Sequence, residues 1–127
     1  RKTMTRMTFA VFACWLAAVP ACNKAGGGGI PEAAKQEAKM IYETRCTTCH
    51  GPRGAGDGPG SAALTPKPRN FQDKAWQGSI NDSQIETIIK GGGMAVGKSP
   101  AMPPNPDLDA KPQVVAALRE YIRSLAQ

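Results

Sequence analysis

The chain has 127 residues, 41% of them apolar, with 16 basic and 10 acidic side chains. That length holds one domain and little else, and a core of this size is marginal without a disulfide, a metal or a cofactor to staple it. No run of Lys or Arg occurs, and no basic stripe is interleaved with aromatics, so nothing in the composition supports nucleic-acid binding.

Arg1, Lys2 and Arg6 precede an apolar run from Phe9 to Ala21, too short to span a bilayer comfortably and placed as a targeting segment would be. Residues 1–22 are therefore expected to be a signal peptide of an exported protein. The run ends in "AVPAC", where small residues before Cys22 allow ordinary cleavage. They also resemble the lipobox of bacterial lipoproteins, whose terminal cysteine is acylated and tethers the chain to a membrane. Val19 and Ala21 fit that pattern, although Pro20 is an unusual neighbour. The stretch after it, residues 23–30 with Gly26–Gly29, has the composition of a flexible spacer and favours the tether. Setting aside Arg1, Lys2 and Arg6 leaves 13 basic against 10 acidic residues, a mild excess.

Residues 31–127 form the expected domain. Pro31 and Glu32 open a helix whose one face carries Ala34, Ala38, Ile41 and Tyr42 as far as about Arg45. Asn81 with Gln84 three residues on announces a second helix, bearing Ile85, Ile88 and Ile89 and stopped by Gly91, Gly92 and Gly93. A third starts near Pro112, with Val114, Leu118, Tyr121 and Leu125 at helical spacing, Val115 and Ile122 widening the stripe, and Arg119, Glu120 and Arg123 facing water. No useful alternating pattern and no internal repeat appear. The fold class is all-α, three main helices joined by long Gly/Pro-rich loops that must wrap around something.

The stretch "ETRCTTCHGPRGAGDGPG" shows what that is. Cys46-Thr47-Thr48-Cys49-His50 is C-x-x-C-H, in which two thiols at the end of a helix reach the two vinyl groups of one porphyrin and the next residue offers its imidazole to the iron. Other readings of the cysteines fit worse. Zinc needs a fourth ligand, and Cys14 and Cys22 fall in the targeting segment. A redox pair belongs in a βαβ pattern that is absent. A Cys46–Cys49 disulfide closes a very tight loop and leaves the chain's one histidine unexplained.

With His50 used, a strong-field sixth ligand has to be methionine or lysine, or the site is open. Met40 lies too near the motif to reach round the ring and reads as packing. Met94 follows three glycines in a loop that specifies its position poorly. Met102, in "KSPAMPPNP", sits on backbone stiffened by Pro100, Pro103 and Pro104 and is the favoured ligand.

These residues resemble the class I c-type cytochromes, in particular small bacterial monohaem carriers, over about residues 34–126: the C-x-x-C-H helix, "PKPRNF", Trp76, "IIKGG", "KSPAMPP" and "VVAALREYIRSL". The resemblance implies the cytochrome c fold, with first and last helices crossing where Ala38 meets Tyr121, and one haem c bound covalently through Cys46 and Cys49. It implies axial ligation by His50 and Met102. The carbonyl of Pro59 is then the acceptor for the second imidazole nitrogen, and Arg69 and Trp76 lie near the propionates. Gly51, Gly54, Gly56 and Gly58 let the chain turn close to the porphyrin.

The expected function is one-electron transfer, not enzymatic turnover, by a six-coordinate His/Met haem of fairly high potential in an exported respiratory or oxidative chain. Donor and acceptor would be redox proteins that dock transiently at the haem edge, with Lys67, Lys74, Lys90 and Lys98 as candidate contacts. The chain is expected to be monomeric on the periplasmic side, anchored through Cys22. A fixed subunit of a larger oxidoreductase, or a five-coordinate enzyme or gas sensor, are the alternatives.

Overall fold

The computed structural model describes residues 28–127; the expected leader at 1–22, Cys22 and most of the expected spacer at 23–30 lie outside the described residues. Within them α1 (Glu32–Ile41) begins at Pro31, whose carbonyl accepts from Lys35 N–H at 3.1 Å, and buries Ala34, Ala38 and Ile41 along one stripe. The sequence pattern ends this helix near Arg45, but the rod continues. A π-helical turn (Tyr42–Cys46) inserts one residue into the spiral, with Thr47 N–H donating to Tyr42 O five residues back, and α2 (Thr47–His50) carries the motif to Gly51. The threonines that weaken the helical signal are accommodated by back-bonding: Thr44 Oγ1 donates to Met40 O and Thr47 Oγ1 to Glu43 O, both at 2.7 Å.

A short helix, α3 (Lys74–Ser79), is absent from the sequence reading. It is too brief to show an apolar period and rests on its cap, Asp73 Oδ1 accepting from Ala75 N–H (2.9 Å) and Trp76 N–H (3.2 Å). Then α4 (Asp82–Gly91) starts with the expected reciprocal cap, Asn81 Oδ1 accepting from Gln84 N–H at 2.9 Å while Asn81 N–H donates to Gln84 Oε1 at 3.0 Å. Finally α5 (Pro112–Ser124) opens on its proline, where the missing N–H costs nothing. The described residues contain no strand.

Both α1 and α4 pack on α5. Ala38 and Ala117, 1% and 4% exposed, leave room for the surrounding Ile41, Leu118 and Ile122 to interlock. The ring that meets Tyr121 is that of Tyr42, one turn beyond Ala38, edge-on with centroids 4.7 Å apart. Arg119 and Arg123 do not face water as their place on the helical wheel suggested. Arg123 donates to Gln77 O (2.6 Å), Ile80 O (2.7 Å) and Asp82 Oδ1 (2.9 Å), and Arg119 also pairs with Asp82. Arg119 Nε lies 3.1 Å from Glu86 Oε1 without hydrogen-bond alignment. Two guanidinium groups thus clasp the ends of α3 and α4 to α5. No helix among the described residues is long and apolar enough to cross a membrane.

Candidate functional site

A helix leaves its last four carbonyls without intrahelical donors, and α2 ends with the motif itself. The glycine-rich loop supplies the missing donors. Gly51 N–H bonds Thr47 O at 2.9 Å, Gly60 N–H bonds Thr48 O at 2.8 Å, Gly58 N–H bonds Cys49 O at 3.1 Å and Gly56 N–H bonds His50 O at 2.8 Å. The loop folds back onto the motif's own backbone, which is why side chains do not fit it. At Gly56, with φ +77°, a Cβ would stand 2.6 Å from Pro68 O. Gly56 and Gly58 thus approach protein backbone closely, while Gly51 and Gly54 stand against the side chains of Asp57, Leu125 and Phe71.

His50 is buried. Its Nδ1 lies 3.0 Å from the main-chain oxygen of Arg69, so the ring donates there from Nδ1 and keeps Nε2 for a metal. The acceptor in this structure thus comes from the later "PKPRNF" segment and not from Pro59, which is exposed. Burial pushes the His50 pKa down, opposed by the bond to Arg69 O; the net lowering favours the neutral imidazole that a metal takes as ligand. The Phe71 ring stacks on the imidazole at 4.3 Å and 14°.

Cys46 and Cys49 are both free thiols, half-buried. Burial, slightly countered by Arg45, pushes the Cys46 thiol up to about 11. Behind them Tyr42 donates its hydroxyl to Gly51 O at 2.9 Å, and its pKa is raised, first by burial and then by Tyr121. Among the described residues no cluster of three or more His, Cys, Asp or Glu gathers as a metal cage.

Cys46, His50 and Met102 line one apolar cleft, walled by Ile41, Phe71, Ile89, Leu108 and Leu118. Met102 is half-buried there, whereas Met94 is 73% exposed, and Met40 is 58% exposed rather than packed as expected. The glycines after α4 seat the Met102 segment: Gly93 N–H donates to Met102 O at 3.0 Å, and at Gly92, φ +69°, a Cβ would stand 2.6 Å from that same oxygen. Cys49 does not line the cleft; it sits on the side of the glycine loop, 3.8 Å from where a Cβ on Gly60 would lie.

The guanidinium of Arg69 lies 5.7 Å from the centroid of Trp76, and Trp76 packs against Phe71 with centroids 5.5 Å apart. The two residues expected near propionates are thus neighbours, and Arg69 is also the residue whose carbonyl holds His50. Of the four lysines named, Lys67 is engaged, its Nζ donating to Ser61 O and Ala62 O at 3.0 Å, while Lys74 and Lys98 are exposed and Lys90 is half-buried. Sequence reasoning missed Phe71, Asn105 and Leu108, because aromatic stacking and loop burial have no period; it also missed the Arg69 carbonyl, since main-chain acceptors carry no side-chain signature.

These groups fit a covalently held haem: two free thiols at C-x-x-C spacing, a buried imidazole with one nitrogen engaged, and an apolar wall bearing a thioether. The cleft is narrow, about 30 Å³, and the Phe71 ring lies stacked on the imidazole within it.

The site and fold thus define a covalent haem protein of the helical type. The family model for cytochrome c matches residues 35–126, and the chain belongs to that family. Among solved structures it is similar to the KustC0563 c-type cytochrome, at 28% identity and a TM-score of 0.52, over 71% of this chain and 98% of that one. No curated protein compared with the chain matches it. The protein is a class I c-type cytochrome with haem c attached through Cys46 and Cys49, and it works in haem-based electron transfer with redox partners.

Proposed function

We propose that the protein is a one-electron carrier whose haem is held between His50 and Met102, exported to the periplasmic side and anchored there through an acylated Cys22. The observation that carries the ligation is the shared cleft: Met102 stands on the same apolar wall as His50, and the two other methionines among the described residues are exposed. When bound, the haem supplies a reversible one-electron couple. The chain's own residues do the rest. Arg69 O fixes the tautomer and orientation of His50, Met102 would offer its thioether as the second ligand, and Ile41, Ile89, Leu108 and Leu118 exclude water, which would favour the less charged, reduced state and hence a fairly high potential.

A closed coordination sphere leaves no position for substrate, so the carrier reading excludes turnover at the metal. Partners dock weakly and leave again, and the free ammonium groups of Lys74 and Lys98 bias that docking toward acidic surfaces. The protein acts as a monomer.

Absorption spectra of the holoprotein, oxidised and reduced, with and without carbon monoxide, test the ligation. A low-spin c-type spectrum unmoved by the gas is expected; a large shift in the reduced protein means an open iron and an enzyme or sensor. Mass analysis of the mature N-terminus tests acylation of Cys22. Mild detergent extraction tests the free carrier, because a fixed subunit leaves the membrane with a stoichiometric partner.

A further inference from the structure

Arg45, the residue before the first attachment cysteine, reaches across to the loop that bears Met102. Its Nη1 and Nη2 donate to Asp107 Oδ1 and Oδ2, both at 3.0 Å, a bidentate fork, and Nη1 also meets Asn105 Oδ1 at 3.2 Å. Asn105 in turn is locked to the end of α4: its N–H donates to Lys90 O at 2.7 Å and its Nδ2 to Ile89 O at 2.8 Å. Only Pro103 and Pro104 separate Asn105 from Met102, and their fixed φ angles pass a displacement at one end to the other. Asn105 also lines the cleft beside Met102.

We infer that Arg45 is a positioning residue for the distal methionine: through Asn105 and Asp107 it fixes the reach of the Met102 loop to the helix that carries the haem-attachment cysteines. The inference rests on the reading of Met102 as the axial ligand. The π-helical turn supplies the direction, since Arg45 lies within it and points outward to Asp107 while Cys46, its neighbour, packs against the core. The side chains of Arg45 and Asp107 are 43% and 47% exposed, and exposed pairs add little to global stability. The consequence is therefore local. Loss of the fork frees the proline-stiffened segment and makes Met102 easier to displace, with no comparable loss of folding stability.

The test titrates ferric holoprotein with imidazole, which competes for the methionine's position, and follows the absorption change together with the thermal midpoint. Arg45→Ala and Asp107→Asn are expected to bind imidazole about two- to fivefold more tightly than wild type, the range that exposed charge pairs support. Arg45→Lys, which keeps the charge but not the fork, is expected to fall between. Lys39→Ala, which removes an exposed charge on the same rod, is the control, and Met102→Ala marks the fully opened site. If both fork variants match wild type while Met102→Ala binds imidazole strongly, the positioning role is wrong and the ligand assignment stands. An equal gain in Lys39→Ala also overturns the positioning role, because the effect is then net charge. If Met102→Ala behaves as wild type, the ligand assignment itself is wrong and this inference falls with it.

Discussion

The imidazole of His50 is held by the backbone of Arg69, Nδ1 to carbonyl oxygen at 3.0 Å, across nineteen residues of chain. A main-chain acceptor is untouched by side-chain replacement. Arg69→Ala is therefore expected to keep the wild-type spectrum and to lose only the contact of its guanidinium with Trp76, about 0.5–1 kcal/mol in chemical unfolding. Pro59→Ala is expected to leave both spectrum and reduction potential unchanged, because Pro59 is exposed. A potential that falls in Pro59→Ala, measured by redox titration, would mean that the proline ring itself shapes the loop beside the imidazole, since its carbonyl is kept in the variant.

The methionines make a paired prediction. Met94 is 73% exposed, and Met94→Leu is expected to change stability by no more than about 0.5 kcal/mol, with the spectrum intact. Met102→Leu keeps the volume and apolarity of the cleft wall but removes the thioether, so it is expected to open the iron to carbon monoxide in the reduced state. Spectral loss in Met94→Leu instead would reverse the assignment.

Much of this was legible in the sequence for identifiable reasons. The stripe Ala34, Ala38, Ile41 and Tyr42, the Asn81/Gln84 cap and the Pro112 start are local signals, and each has its counterpart in the fold. C-x-x-C-H is local as well, since the chemistry itself sets the spacing. What the sequence hid depends on long-range partners. The π-helical turn has no composition of its own, and α3 hangs on one aspartate cap. Arg119 and Arg123 sit on the polar side of their helix yet find Asp82 across the bundle. The histidine's acceptor lies in a different loop from the one expected, because any carbonyl at the right distance serves.

The loop behind the motif predicts a severe single-residue effect. At Gly56 an alanine meets two penalties, a positive φ and a Cβ 2.6 Å from Pro68 O, while its N–H must still bond His50 O. Gly56→Ala is expected to cost about 2–4 kcal/mol by urea unfolding of the holoprotein. Gly78, whose Cβ would meet nothing within 4 Å and which sits inside a helix, is the comparison; there alanine is expected to be neutral or stabilising by up to about 1 kcal/mol. Equal responses at the two positions would mean that the loop yields more readily than its backbone contacts imply.

The clasp at Asp82 makes stability depend on pH in a defined direction. Hydrogen bonds from Arg123 and then Arg119 hold this carboxyl below its usual range. A carboxylate whose pKa is lower folded than unfolded binds fewer protons in the native state near that range, so its contribution is complete above the ordinary carboxylate value of about 4 and is lost as pH falls through the lower folded value. The Asp82 side chain is half exposed to solvent, so salt weakens the same contribution. Asp82→Asn is accordingly expected to be less stable than wild type at pH 7, with the difference shrinking below about pH 4 and also at high ionic strength. Urea midpoints of both proteins from pH 7 to the acid limb, at low and high salt, decide it. A difference that stays constant with pH would mean that the clasp acts through hydrogen-bond geometry, which asparagine fails to reproduce, rather than through charge.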